Sequence, residues 1–166
     1  MSKFEPVQDV KKRRDSVLHA LVDHVPFHAF LGISFERKGD ELTGILSYQP
    51  HLIGNPLVER LHGGGTKAFL ESTAIITLAW HSLWDRMENG ELDIEKLTAG
   101  ELPPLPRTIN FTTDYLRPGL PRDAYARATI ARAGRRYASV QVEAWQDNRS
   151  VLFAQSTGHF KMPSKA

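Results

Sequence analysis

NPLVERLHGGGTKAFLESTAIITLAWHSLW, residues 55–84, is the stretch on which the reading of this 166-residue chain turns. From Thr66 to Trp84 it is rich in Ala, Leu and Ile, interrupted by only Lys67, Glu71 and His81 as ionisable residues. Most helices of small domains keep one polar face. This run barely has one, so it predicts a helix buried on most sides. The residues before it, HLIGNPLVERLHGGG, read as a loop in which the three glycines mark the helix entry.

Working outward, residues 30–48 hold two short strand-like runs around Lys38-Gly39-Asp40, which predicts a hairpin. Upstream, Val10, Val17, Leu18, Leu21, Val22 and Val25 recur near helical spacing and predict an amphipathic helix over 7–25, ending before Pro26, as a lid or packing helix. Downstream, residues 85–106 are polar, acidic and then proline-rich, an excursion with one helical turn. Strands are predicted over Arg107–Leu116, Ala124–Ala133, Tyr137–Asp147 and Val151–Lys161. In the third, Ala138, Val140, Val142 and Ala144 alternate with polar or aromatic residues at period two. The sum is an α+β protein whose antiparallel sheet wraps around one long central helix, with an extra helix in front.

Composition narrows the function classes. Hydrophobic residues at 41% and charged residues at 24% describe an ordinary globular chain of one domain. A formal charge of +2 is no nucleic-acid signature. The basic runs Lys11–Arg14 and Arg132–Arg136 could each meet phosphate, the first reading more simply as a solvated helix face. Without cysteine there are no disulfides, thiol nucleophiles or thiolate metal sites. His24 and His28 stand four apart but straddle Pro26, so no metal is predicted. The apolar stretch Ala74–Trp80 is too short to cross a bilayer. The charged residues at the start have no apolar signal region after them, and a cytoplasmic location without membrane association is expected.

The chemistry concentrates on Asn55, His62-Gly63-Gly64-Gly65 and Glu71. Glycines at a helix N-terminus let a substrate oxygen approach unpaired amides whose dipoles favour developing negative charge, as on a thioester carbonyl. Glu71 is a carboxylate in apolar surroundings, which suits a general base or nucleophile. Nine residues on one helix separate it from His62 by roughly 13 Å along the axis and about half a turn. If both act on one substrate, they come from different subunits. Singly, each feature also reads as a tight turn or a solvent-facing carboxylate. The HGGG loop of lipases requires a G-x-S-x-G elbow that this chain lacks, and the glycines form neither G-x-G-x-x-G nor G-K-[ST].

The pattern Asn55…Leu61-His62-Gly63-Gly64…Glu71-Ser72-Thr73-Ala74 resembles the PaaI-like acyl-CoA thioesterase branch of the hotdog-fold superfamily. So do the block Thr108-Ile109-Asn110-Phe111-Thr112-Thr113-Asp114-Tyr115-Leu116-Arg117-Pro118 and the segments Arg132–Val142 and Gln155–Phe160. The likeness spans roughly residues 30–162, leaving 1–29 as a helical extension and 85–106 as an insertion within a single domain of residues 1–166. It implies hydrolysis of an acyl-CoA without cofactor by a homodimer or homotetramer whose site lies at the subunit interface. The Gly63 or Gly64 amide would polarise the carbonyl, Asn55 and His62 orient it, Glu71 of the neighbouring subunit activate water or attack, and Thr108 hold the water. Arg117 and the turn Gly134-Arg135-Arg136 would grip coenzyme A. Glu71 stands where the family commonly has Asp, which keeps the charge and lengthens the reach. The alternatives are a hotdog protein that binds acyl-CoA or acts as a scaffold without catalysis, and a hotdog dehydratase.

Overall fold

A computed structural model describes residues 5–164; residues 1–4 and 165–166 of the expected domain lie outside it. The run of Ala, Leu and Ile does form a helix, α3 (Gly63–Glu88), which extends past the predicted bounds at both ends. Phe69, Leu70, Ala74, Ile76 and Leu78 along it are fully buried. Around it lies a six-stranded antiparallel sheet of β1 (Ile33–Lys38), β2 (Glu41–Leu46), β5 (Arg107–Tyr115), β6 (Ala124–Ala133), β7 (Tyr137–Trp145) and β8 (Leu152–Lys161). The strand order is β1-β2-β6-β7-β8-β5, so β5, which follows the central helix in sequence, closes one edge. This is the hotdog arrangement.

Alternation seats the sheet on the helix. In β7 Ala138, Val140, Val142 and Ala144 are buried; in β8 Ala154, Ser156, Gly158 and Phe160 are buried with exposed residues between them. Small residues let the layers approach. A Cβ on Gly44 of β2 would stand 2.7 Å from the Thr73 hydroxyl and 3.3 Å from the Phe69 ring, both on α3. One on Gly158 would stand 2.6 Å from the rings of Phe111 and Phe160.

Three boundaries differ from expectation. The N-terminal helix α1 (Val7–Asp23) stops early and a second helix, α2 (Pro26–Leu31), begins at Pro26. Proline breaks a helix interior but suits the first turn, where its missing N–H is not needed. The first strand, β1, therefore starts at Ile33, after α2. The expected loop before α3 contains a 3₁₀ turn and a short ribbon, β3 (Ile53–Asn55) paired with β4 (Arg60–Leu61). Residues 85–88 of the supposed insertion are the last turn of α3, and the remainder carries α4 (Ile94–Thr98), which packs on α1.

α1 is fastened to α3 by Arg14, which donates two hydrogen bonds to the Glu88 carboxylate at 3.0 and 2.9 Å and lies over the Trp84 ring. The hydrogen bonds from Arg14 hold the Glu88 carboxyl below its ordinary pKa. Among the described residues no helix is long and apolar enough to cross a membrane.

Because β2 rests on α3 through Gly44, Gly44→Ala is expected to lower the unfolding free energy by about 1–3 kcal/mol through overpacking. The check is chemical denaturation, read as a lower midpoint at constant slope. An unchanged midpoint would mean the sheet can lift off the helix without loss.

Candidate active site

Three glycines are a poor way to begin a helix, each about 1 kcal/mol less favourable than alanine, and His62 is what starts α3 among them. Its backbone is extended, and its ring Nδ1 accepts the Gly64 N–H at 2.9 Å. The imidazole is wedged between glycines. A Cβ on Gly54 would fall 2.8 Å from His62, and one on Gly64 would fall 3.0 Å from its ring. With Nδ1 accepting, the neutral ring carries its proton on Nε2 and keeps that N–H as a donor.

The cap narrows the expected oxyanion donors. Gly64 stands beside Gly63 among the expected donors, but its amide already serves His62. The amides of Gly63 and Gly65 have no acceptor among the described residues. They stand at the positive end of a 26-residue helix. Tyr115, the last residue of β5, donates from its hydroxyl to the Gly63 carbonyl at 2.7 Å and thereby fixes the first peptide of the helix. Partial burial pushes the Tyr115 phenol above its usual pKa, so it remains a donor across the neutral range. The sequence alone assigns Tyr115 no role; its place at a strand end is the one signal that could have marked it.

Glu71 lies two turns further along α3, half-buried between buried neighbours, and accepts a hydrogen bond from the Thr108 hydroxyl. That contact depends on an irregularity in β5. Phe111 is buried against Phe160, Thr113 bonds the buried Ser156, and Tyr115 reaches Gly63, so odd-numbered residues face the helix. Strict alternation would turn Thr108 outward. Thr108 instead pairs with Phe160 while Asn110 pairs with His159, and the extra residue Ile109 resets the facing. A bulge of this kind re-aims a side chain.

β5 thus runs antiparallel to α3, with Thr108 on Glu71 at one end and Tyr115 on Gly63 at the other. Within one chain Glu71 and Gly63 are separated by about 12 Å of helix axis. The remaining candidates divide between these ends. Asn55 lies in the ribbon beside His62; its Oδ1 accepts the Leu57 N–H at 3.1 Å, and its amide nitrogen has no partner among the described residues. Arg117 sits at the Tyr115 end, where its guanidinium donates to the Leu152 carbonyl at 2.6 Å. It shares an open depression of about 340 Å³ with Arg60, Thr66 and Tyr115. Gly134, Arg135 and Arg136 lie at the opposite end, lining a larger depression of about 710 Å³ with Ile109. No single chain brings Arg117 and that turn together. His24 and His28 each hold a separate carbonyl, of Thr98 and Val22.

Since His62 supplies the cap, His62→Ala is expected to cost about 1 kcal/mol of stability. Urea unfolding of wild type and variant measures it. An unaltered midpoint would mean that the ring does not hold the helix start.

Comparison with known proteins identifies the family. The family described as "Acyl-CoA thioesterase N-terminal domain" matches residues 58–160. The chain is similar to the medium/long-chain acyl-CoA thioesterase YigI of Escherichia coli K12, at 30% identity over 125 residues, covering 74% of this chain and 76% of the relative. Among solved structures it is similar to a Shewanella oneidensis protein related to the thioesterase superfamily, with TM-score 0.74, 26% identity, and coverage of 93% of this chain and 98% of that one. A Chromobacterium violaceum protein aligns with TM-score 0.61 at 30% identity, covering 95% and 98%. The chain belongs to the acyl-CoA thioesterase family of hotdog-fold thioester hydrolases.

Proposed function

We propose that this protein hydrolyses acyl-CoA thioesters to free acid and CoA, without metal or prosthetic group, at a site shared by two copies of the chain. The observation that carries this reading is the separation of Glu71–Thr108 from His62–Gly63–Tyr115 at opposite ends of the edge strand β5. A base acting through one water on a carbonyl carbon, and a donor on that carbonyl's oxygen, lie within about 7 Å of each other. The same-chain spacing of about 12 Å along the helix is too long.

A second copy removes the mismatch. Among the described residues β5 pairs only with β8, and exposed apolar side chains, Ile109, Tyr115 and Leu116, lie along it. Antiparallel pairing of two β5 edges about a two-fold axis near Phe111 and Thr112 sets the Thr108 end of one copy against the Tyr115 end of the other. Strands so paired lie about 4.8 Å apart. Each Glu71 then meets the Gly63 amide of the other copy, and each Gly134-Arg135-Arg136 turn approaches the other copy's Arg117. Two equivalent sites result.

In this arrangement the Gly63 amide stabilises the oxyanion that forms as water adds to the thioester carbon, while Glu71 takes the proton and Thr108 holds Glu71 in place. Collapse of the tetrahedral intermediate breaks the C–S bond, and the proton on Glu71 passes to the departing thiolate. Direct attack by Glu71, forming an anhydride that water then opens, uses the same residues. Asn55 and the His62 Nε2–H orient the carbonyl, and the Gly134-Arg135-Arg136 turn receives the CoA nucleotide. The name of the E. coli relative favours medium- and long-chain acyl groups as first substrates.

Release of CoA thiol from a panel of short, medium, long and aromatic acyl-CoAs tests the reading. Glu71→Gln keeps the shape and removes the charge, and is expected to lower kcat by about a hundredfold or more. Full turnover by a folded Glu71→Gln protein would remove Glu71 from the chemistry. No turnover of any thioester by wild type would favour a hotdog protein that only binds its ligand.

A further inference from the structure

Most polar groups of the turn that opens α3 are tied down within the chain. His62 donates its backbone N–H to the Leu52 carbonyl at 2.8 Å, and its own carbonyl accepts the Thr66 N–H at 3.0 Å. Just ahead of it, the Leu61 N–H donates to the Gly119 carbonyl at 3.0 Å. The peptide that joins Gly63 to Gly64 is gripped at both ends: its oxygen accepts the Tyr115 hydroxyl at 2.7 Å, and its N–H donates to His62 Nδ1 at 2.9 Å. The donors left without an acceptor among the described residues are the Gly63 N–H, the Gly65 N–H and the His62 Nε2–H.

Tyr115 is not there to fill the core. It is 53% exposed, and the carbonyl it serves belongs to the first turn of α3, where the helix ladder already supplies a donor. Its ring lies flush on Gly63, where a Cβ would stand 3.4 Å from both the hydroxyl oxygen and the ring carbon that bears it. The strand holds it there: Tyr115 pairs with Ala154, and the N–H groups of Leu116 and Arg117 both donate to the Phe153 carbonyl. Partial burial keeps the phenol protonated, and so a donor, at neutral pH. A backbone amide is always a donor, so His62 Nδ1 accepts and the neutral ring keeps its proton on Nε2. A peptide that accepts a hydrogen bond on its oxygen donates more strongly from its nitrogen, because bonds in series polarise one another.

We infer that Tyr115 is a positioning residue for His62: through the Gly63–Gly64 peptide its hydroxyl fixes the imidazole in the Nε2–H tautomer and strengthens that N–H as a donor to the substrate carbonyl oxygen. The series runs from the Tyr115 hydroxyl to the Gly63 oxygen, through the peptide to the Gly64 N–H, into Nδ1 and out at Nε2–H. No proton changes place along it. Density drawn toward the Gly63 oxygen makes the Gly64 N–H a stronger donor, which in turn draws density from the ring. The Nε2–H then meets more strongly an oxygen that is gaining negative charge. The inference rests on the thioester-hydrolase reading and adds to it a residue that acts without touching the reacting atoms. One strand, β5, thereby positions Glu71 through Thr108 and His62 through Tyr115.

Tyr115→Phe removes the hydroxyl and keeps the ring of a half-exposed residue, so the variant is expected to fold, and two measurements on the purified full chain test the inference. In long-range proton–nitrogen NMR spectra at mildly alkaline pH, His62 is assigned by the signals lost in His62→Asn. Wild type is expected to show one pyridine-type and one pyrrole-type ring nitrogen, and in Tyr115→Phe the two signals are expected to draw together as the tautomers mix. In hydrolysis of the best acyl-CoA, the variant is expected to lose about tenfold in kcat with KM within about twofold, since the lost bond is felt on the developing oxyanion. A purely structural role would lower the urea midpoint and leave both the His62 nitrogens and the kcat of the folded variant as they are. A variant kcat equal to that of wild type overturns the inference. If thioesters are hydrolysed but the His62 signals of the variant match those of wild type, the inference falls and the hydrolase reading stands. If no thioester is hydrolysed and yet the signals draw together, the link from Tyr115 to His62 stands and the hydrolase reading falls.

Discussion

Glu71 puts a carboxylate on a helix whose adjacent residues Leu70 and Ser72 are both buried, and the hydroxyl of Thr108 answers it. A carboxylate lifted out of water needs a donor close at hand. Here the donor comes from the sheet, so the chemistry of the helix depends on how β5 is laid along it. The bulge at Ile109 turns Thr108 inward, and the absence of a Cβ at Gly158 lets the Phe111 and Phe160 rings close beneath the strand. Moving β5 by one residue would turn Thr108 and Tyr115 away from the helix together.

The same strand explains why the site is divided. β5 spans the distance between the two candidate ends of the site on α3, and as the last strand of the sheet it has one side without a partner among the described residues. A long exposed edge is a liability unless it is covered. In the proposed dimer, pairing with a second copy would cover it and bring the carboxylate of each chain to the helix N-terminus of the other. In that proposal one geometric feature, an antiparallel edge strand beside a long helix, links the burial of apolar side chains to the assembly of the site.

Much of this was legible in the sequence because it follows from residue type. Apolar character with few breaks marked α3, period-two burial marked β7, and the glycines with His62 marked the helix entry. Glu71 stood out as a lone carboxylate. What escaped depends on register and on local overrides of propensity. Nothing in Thr108-Ile109-Asn110 announces a bulge, and without it the facing of Thr108 cannot be read. Tyr115 acquires its contact only once β5 is known to run back along the helix. The first helix does end before Pro26, but Pro26 also opens α2 because its effect depends on position within a turn, and the Gly54–Pro56 segment hid the β3–β4 ribbon behind residues that favour loops. The His62 cap overrides the poor helical propensity of Gly63–Gly65, which a propensity argument alone counts against the helix.

The central claim is that Glu71 of one copy works with the helix N-terminus of the other. Complementation between two disabled variants tests it most directly: Glu71→Gln is unfolded and refolded together with Asn55→Ala/His62→Ala, each pure species having been checked for fold and lack of activity. With random pairing, half the dimers are mixed, and each mixed dimer holds one intact site and one doubly damaged site. Equal mixtures should then regain about a quarter of wild-type thioesterase activity. Recovery near that level is the expected result. Mixtures that form mixed dimers yet stay as inactive as their parents would place the whole site within one chain and contradict the account.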